Sequence, residues 1–169
     1  MPDTYHTAGI RRGPPPQVLR SPGQPQSVPS ASLVPCLRSL PTGWTLSSMT
    51  VNDGRSVLTL DHDRAGPRAV VLRLTTSCET VGATLVISGQ PGVRSYMGID
   101  RLSPQFSATR TDVFAGGCVT TRLTGSEGSQ AQLYREVSLV LGFTTRQALR
   151  LALETRSGGR LHLDPATES

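Results

Sequence analysis

The sequence predicts an α+β fold: a mainly antiparallel β-sheet of about five or six strands with a C-terminal amphipathic helix, preceded by a disordered Pro-rich segment. Three observations carry this expectation. Short runs rich in Val, Leu and Thr recur between Trp44 and Leu123, separated by Gly, Asn, Asp and Pro. Asn52-Asp53-Gly54 lies between two of these runs. One stretch near the C-terminus, and only that one, shows a sustained helical stripe closed by a Gly pair.

Taken in order, residues 1–31 carry Pro14, Pro15, Pro16, Pro22, Pro25 and Pro29 among Ser, Gly, Gln and Arg. Proline fixes φ and removes donors, and the few apolar groups cannot offset the entropy of ordering the chain. The stretch reads as a spacer or as an extension upstream of the physiological start, with a Pro-rich ligand as the functional alternative. A single β-rich domain is expected over residues 32–165, with 166–169 as a tail. Leu33, Leu37 and Leu40 are spaced four and three apart and predict a short helix, with Pro35 in its first turn and Pro41-Thr42-Gly43 ending it. Trp44–Val51 and Ser56–Asp61 flank the Asn-Asp-Gly turn, whose residues tolerate positive φ, and form the first hairpin. Ala69–Thr75 alternates Val70, Leu72 and Leu74 against Val71 and Arg73, a strand with one buried face. Ala83–Ile87 is a further short strand. Residues 97–108 read as a loop anchored by Leu102 and Phe106. Thr109–Phe114 and Cys118–Leu123 bracket Ala115-Gly116-Gly117 as a second hairpin. Leu133–Leu141 alternates Val137, Leu139 and Leu141 against Glu136, Ser138 and Val140 and reads as a strand or as the start of a helix, its β-branched centre favouring the strand. Thr144 with Gln147 matches a capping box for a helix from Thr145 to about Arg156, in which Ala148, Leu149, Ala152 and Leu153 form the stripe and Gly158-Gly159 the stop. Leu161-His162-Leu163 adds a short tail strand.

Composition limits the chemistry. Aromatic residues are 4% of the chain, so an aromatic-lined cofactor cavity or a base-stacking platform is disfavoured. The 17 basic residues are all Arg, and the formal net charge is +5. Replacement of every Lys by Arg, with abundant Gly, Pro, Ala and Thr, is the mark of a GC-rich genome. That bias accounts for the basic balance without a nucleic-acid partner. The Arg residues are dispersed rather than clustered on one face, which also argues against an Arg-rich nucleic-acid binder. No run approaches the ~18 apolar residues of a membrane span, and the N-terminus shows no signal-peptide pattern. Leu33-Val34-Pro35-Cys36 fails as a lipobox because Pro35 occupies the small-residue position.

No catalytic, cofactor-binding or metal-binding set stands out. Asp61-His62-Asp63 is the one place where His meets two carboxylates, but His6, His62 and His162 lie in unrelated segments. A turn in which the Asp side chains bond loop amides is the better reading. Gly116-Gly117-Cys118 could present a thiolate to His62 as base, which defines the alternative reading of a small cysteine-dependent hydrolase or thiol enzyme. No neighbouring motif lowers the Cys118 pKa. The absence of Lys removes Walker-type phosphate loops and Schiff bases. Trp44 reads as a core or lid anchor. The three cysteines, Cys36, Cys78 and Cys118, form no C-x-x-C pair. Either Cys78 and Cys118 bridge the ends of two strands or all three are buried thiols.

Cys36, Leu40-Pro-Thr-Gly-Trp44, Val51-Asn-Asp-Gly-Arg-Ser-Val-Leu-Thr-Leu-Asp-His-Asp63, Val113-Phe-Ala-Gly-Gly-Cys-Val-Thr120 and Ser138-Leu-Val-Leu-Gly-Phe-Thr-Thr-Arg146 together resemble uncharacterised extracytoplasmic proteins of high-GC actinobacteria. The resemblance spans residues 36–165. It implies a domain held behind a signal or membrane anchor, and an oxidising compartment that favours a Cys78–Cys118 disulfide. It attaches no activity. The expected function is a non-enzymatic extracytoplasmic interaction or structural domain, binding a protein or cell-envelope partner through its polar loops at 61–68, 88–108 and 124–132. The anchor would lie upstream of the start as written; if that start is physiological, the chain is cytoplasmic.

Overall fold

A computed structural model describes residues 23–165 and 167. A short helix α1 (Gly23–Ser27) is followed by strand β1 (Leu33–Leu37). The body of the sheet comes next: β2 (Trp44–Asn52), β3 (Arg55–His62), β4 (Gly66–Thr75), β5 (Thr84–Val86), β6 (Arg94–Arg101), β7 (Gln105–Phe114) and β8 (Gly117–Ser126). The chain closes with α2 (Gln130–Val140), β9 (Leu141–Thr145) and α3 (Arg146–Ser157). Strands β2 to β8 form one seven-stranded sheet in the order β2-β3-β4-β8-β7-β6-β5, antiparallel throughout, while β1 and β9 pair as a separate antiparallel ribbon. The fold is therefore mainly antiparallel sheet with a C-terminal helix.

Alternation places Leu58, Leu60, Val70, Leu72, Leu74, Val119, Leu123, Phe106 and Ala108 on one face, where they form the main core. Burying each of the larger side chains contributes about 1.5–3 kcal/mol. That face is covered by α2 through Leu133, Val137 and Val140, and by the ribbon through Leu33 and Leu37. Val34 points to the ribbon's other side and meets Leu149 of α3 and Leu163 in a second, smaller core. The ribbon is thus a middle layer between sheet and α3.

Five segments differ from the sequence expectation, each for an identifiable reason. The stretch Leu33–Leu37 is strand, not helix. A spacing of four residues is even, so Leu33 and Leu37 share one face of a strand as readily as one face of a helix. Pro35 is accommodated because the ribbon has only one partner strand. Residues 133–140 belong to helix α2, not to a strand. Leu133, Val137 and Val140 are the i, i+4, i+7 stripe that packs, and Leu139, which made the alternation, is 67% exposed. Residues 97–108 are mostly the β6–β7 hairpin instead of a loop. Phe106 is a core anchor but Leu102 is exposed. The alternation of β6 was masked because its inner face meets a polar cluster. Ser95 Oγ donates to Asp112 Oδ1 (2.5 Å), and Arg110 Nε donates to both Asp112 oxygens (3.0 and 3.1 Å), leaving Asp112 buried and satisfied. The cap of α3 is Thr145 rather than Thr144, its Oγ1 accepting from the Ala148 N–H at 3.1 Å, and Gly158 ends the helix in the left-handed region. Leu161–Leu163 forms no strand; Leu163 is buried in the second core.

The expected leader 1–31 falls in two parts. Residues 1–22 lie outside the described residues, as do positions 166, 168 and 169 of the tail. Residues 25–31 are packed: Pro25, Val28 and Ala31 are buried. Ser30 Oγ donates to the Gly116 carbonyl (2.6 Å), and Ser32 N–H donates to the Ala115 carbonyl (3.0 Å). The reason lies outside the segment. Gly116 has φ +73°, and its missing side chain leaves room for the Ser30 carbonyl to lie against its Cα. A proline-rich stretch with few apolar groups is thereby held by the second hairpin.

Candidate functional site

Cys78 and Cys118 form a disulfide. Cys118 faces Thr75 across β4 and β8, and Cys78 lies three residues beyond Thr75, so the bond ties the β4–β5 connection onto β8. Cys36 is a free thiol on β1; burial raises its pKa, opposed by the charge of Arg38.

His62 and Cys118 are not brought together. His62 pairs with Gly66 at one end of β4, and Cys118 pairs with Thr75 at the other. Nine strand steps of ~3.3 Å put roughly 30 Å between them. The nucleophile–base pair considered from the sequence is therefore not assembled, and the Cys118 sulfur is held in a disulfide.

His62 instead belongs to a cluster built at the opposite end. The β2–β3 hairpin turns through Asp53 and Gly54, and its register shifts by one between Leu46 and Ser48. That bulge sets Trp44 opposite His62, which continuous pairing would have set opposite Asp63. The Trp44 and His62 rings pack with centroids 4.7 Å apart. Glu136 of α2 lies over both: its Oε2 accepts from Trp44 Nε1 (2.9 Å) and lies 3.1 Å from His62 Nε2, and its Oε1 accepts from Gln132 Nε2 (2.7 Å). His62 Nδ1 accepts from the Ala65 N–H (3.1 Å) and the Arg64 N–H (3.3 Å). Those partners select the tautomer in which Nε2 carries the proton and donates to Glu136. With both ring nitrogens engaged, His62 joins the 63–65 turn to helix α2 and has no lone pair free for proton abstraction. Asp61 Oδ1 accepts from the Arg68 N–H (2.8 Å), as expected of a turn aspartate. Among the described residues, no group of three or more His, Cys, Asp or Glu side chains is placed to hold a metal ion.

The hydrogen bonds from Gln132 and Trp44 hold the Glu136 carboxyl below the usual carboxylate range, with smaller contributions from His62 and Arg64. A depressed folded-state pKa contributes stability above the unfolded value of about 4.3, which is lost as pH falls through the folded value. The stability difference between the protein and Glu136→Gln should therefore be full at neutral pH and shrink in acid. Urea titrations followed by fluorescence of Trp44, the only tryptophan, would show it. A difference independent of pH between 7 and 2.5 would contradict the assignment.

Beside this cluster lies an open groove of about 250 Å³, lined by His62, Arg64, Ser126, Glu127, Ser129 and Gln132 among others. It is where the 61–68 and 124–132 loops meet. The β6–β7 turn sits at the same end, because Gln105 pairs with Ser126; residues 88–93, by contrast, lie at the disulfide end. Sequence reasoning missed Glu136 and Gln132. Their i, i+4 spacing carries meaning only once the segment is known to be a helix.

No protein-family model and no curated protein matches the chain. A solved structure of a protein from Bacteroides thetaiotaomicron VPI-5482 is similar at 12% sequence identity and a TM-score of 0.35, over 69% of this chain and 49% of that one. The chain spans about half the length of that protein, and a likeness of this size says nothing about function. No helix among the described residues is long and apolar enough to cross a membrane.

Proposed function

We propose that this chain is a non-enzymatic, extracytoplasmic binding domain that engages a protein or cell-envelope partner through the groove end of its sheet. The Cys78–Cys118 disulfide carries the reading. Disulfides form and persist in oxidising compartments, and this one takes the best nucleophile candidate out of use. The meeting of two polar turns at one groove, with the β6–β7 turn at the same end of a rigid sheet scaffold, is the arrangement on which recognition loops are commonly carried. The groove presents hydroxyl, amide, guanidinium and carboxylate groups, which suits a polar partner.

A photo-crosslinking residue placed at Glu127, exposed beside the groove, tests this against the same residue at Asp53, exposed at the opposite end. In the native host the Glu127 probe should give a discrete crosslinked species and the Asp53 probe none. Crosslinking from Asp53 alone, or recovery of Cys78 and Cys118 as free thiols from native material, would overturn the reading.

A further inference from the structure

Helix α2 and the β1–β9 ribbon cover one face of the sheet; the other face carries neither. Alternation sends Arg55 of β3, Arg73 of β4 and Arg122 of β8 to that open face, and all three are exposed. They are far apart in the chain, but the strand register brings them into line. Arg73 lies opposite Val57, two residues from Arg55, and opposite Thr120, two residues from Arg122. Each step is a diagonal across adjacent strands of roughly 7–8 Å, so the guanidinium groups form an oblique stripe over three strands. Among the described residues none of the three makes an ion pair or a side-chain hydrogen bond. Arg110, by contrast, is paired with Asp112, and Arg150 lies beside Glu154. From the level of Arg55 to that of Arg122, strands β2, β3, β4, β8 and β7 place no Asp or Glu on this face. The bordering acids stand at its margins. Asp53 is in the β2–β3 turn, Glu79 follows the disulfide, Asp61 accepts from the Arg68 N–H, and Asp100 accepts from the Ser107 and Thr109 hydroxyls. Three like charges in line, with no counter-charge among them, raise a positive potential that an anionic partner relieves.

We propose that this stripe is the docking surface for a linear acidic polysaccharide lying obliquely across the open face of the sheet. Guanidinium groups bind carboxylates through paired, charge-assisted hydrogen bonds. Next to Arg55 and Arg73, the exposed Asn52, Thr50 and Ser48 of β2 line the same face and supply amide and hydroxyl groups for sugar hydroxyls. A nucleic acid fits less well. Among the described residues the one aromatic side chain on this face, Tyr96, is half-buried on β6, two strands beyond β8, so no platform for stacked bases adjoins the stripe. The surface is separate from the groove, which lies beside α2 on the covered side. Preference for a polysaccharide over a nucleic acid rests in part on the extracytoplasmic reading; the stripe itself does not.

The test is biolayer interferometry of the whole chain on immobilised alginate, a polyuronate, beside dextran, a neutral polymer, and a DNA duplex. Saturable binding to alginate is expected, weakening steeply as salt rises, with none on dextran and weaker binding to the duplex. Arg73→Gln, at the centre of the stripe, should weaken alginate binding about tenfold or more, and Arg55→Gln and Arg122→Gln several-fold. Arg156→Gln removes the same charge from an exposed position on α3 and should bind as the parent does. The three stripe side chains have no partners within the fold, so the Tm of each variant should match that of the parent. Absence of saturable binding to alginate overturns the proposal. So does an equal loss in Arg156→Gln and Arg73→Gln, which would make the effect one of net charge. Equal binding to dextran, or tighter binding to the duplex, overturns it as well, the latter assigning the face to a nucleic acid. Stripe-dependent alginate binding by a chain whose Cys78 and Cys118 are free thiols in the host would uphold the stripe and overturn only the extracytoplasmic reading.

Discussion

Replacing Cys78 and Cys118 together by alanine is expected to cost the fold about 4 kcal/mol. The bond closes a loop across a sequence separation of 40. In the chain-entropy account, releasing a loop of that size returns about this much freedom to the unfolded state. The native state loses something as well, because Thr75 and Thr120 hydroxyls contact the Cys78 sulfur at 3.4 and 3.3 Å. For a domain of this size the expected fall in Tm is about 10–15 °C. Calorimetry of the double variant beside the oxidised protein measures it. A fall of under about 2 °C would mean that the β4–β5 connection is already constrained without the bond.

The second large effect is expected at Gly116. Its φ of +73° disfavours any L side chain, and a Cβ there would lie 1.8 Å from the Ser30 carbonyl oxygen, a backbone atom with no rotamer to yield. Gly116→Ala should therefore cost about 3 kcal/mol or more, by expelling residues 25–31 from the second hairpin and exposing Val28 and Ala31. Gly128 provides the control. It has a similar φ of +82° with nothing within 4 Å of its Cβ position, so Gly128→Ala should cost only the backbone term, about 1 kcal/mol. Hydrogen exchange of the Ala31 and Ser32 amides, which donate to Val28 and Ala115, would locate the damage. Equal costs at the two glycines would contradict the packing described for the N-terminal segment.

The parts of the fold legible in the sequence were those governed by local rules. The first hairpin, β4, the β7–β8 hairpin and α3 each carry a turn, a cap or a period strong enough to override alternatives. What was hidden depended on partners distant in the chain. Leu33 and Leu37 satisfy both periods, and only β9, more than a hundred residues away, decides between them. β6 reads as loop because Ser95 faces Asp112 instead of an apolar neighbour. The α2 stripe was outvoted by Leu139, a solvent-facing leucine. The candidate sites follow the same logic. His62 was visible as an unusual residue between two aspartates, but its partner Glu136 is 74 residues further on and its ring neighbour Trp44 is set by a bulge. Arg146 appeared as one arginine among 17; nothing local says that its side chain ties the Pro25 and Asp164 carbonyls to α3.

The β1–β9 ribbon also dictates an order of events during synthesis. Residues 33–37 cannot find their partner until residues 141–145 exist, and neither the ribbon layer nor the core beneath α3 can close before then. Non-local closures of this kind are slow, since the intervening loop must be ordered first. The two halves of the disulfide are both made before α2 begins. An emerging chain can therefore acquire its covalent crosslink while its N-terminal strand is still waiting. Arrest or truncation before α2 is complete would leave a crosslinked sheet with an uncovered apolar face, and a stop between α2 and about residue 145 would leave that face only partly covered; either species is prone to aggregate and a ready target for quality-control proteases.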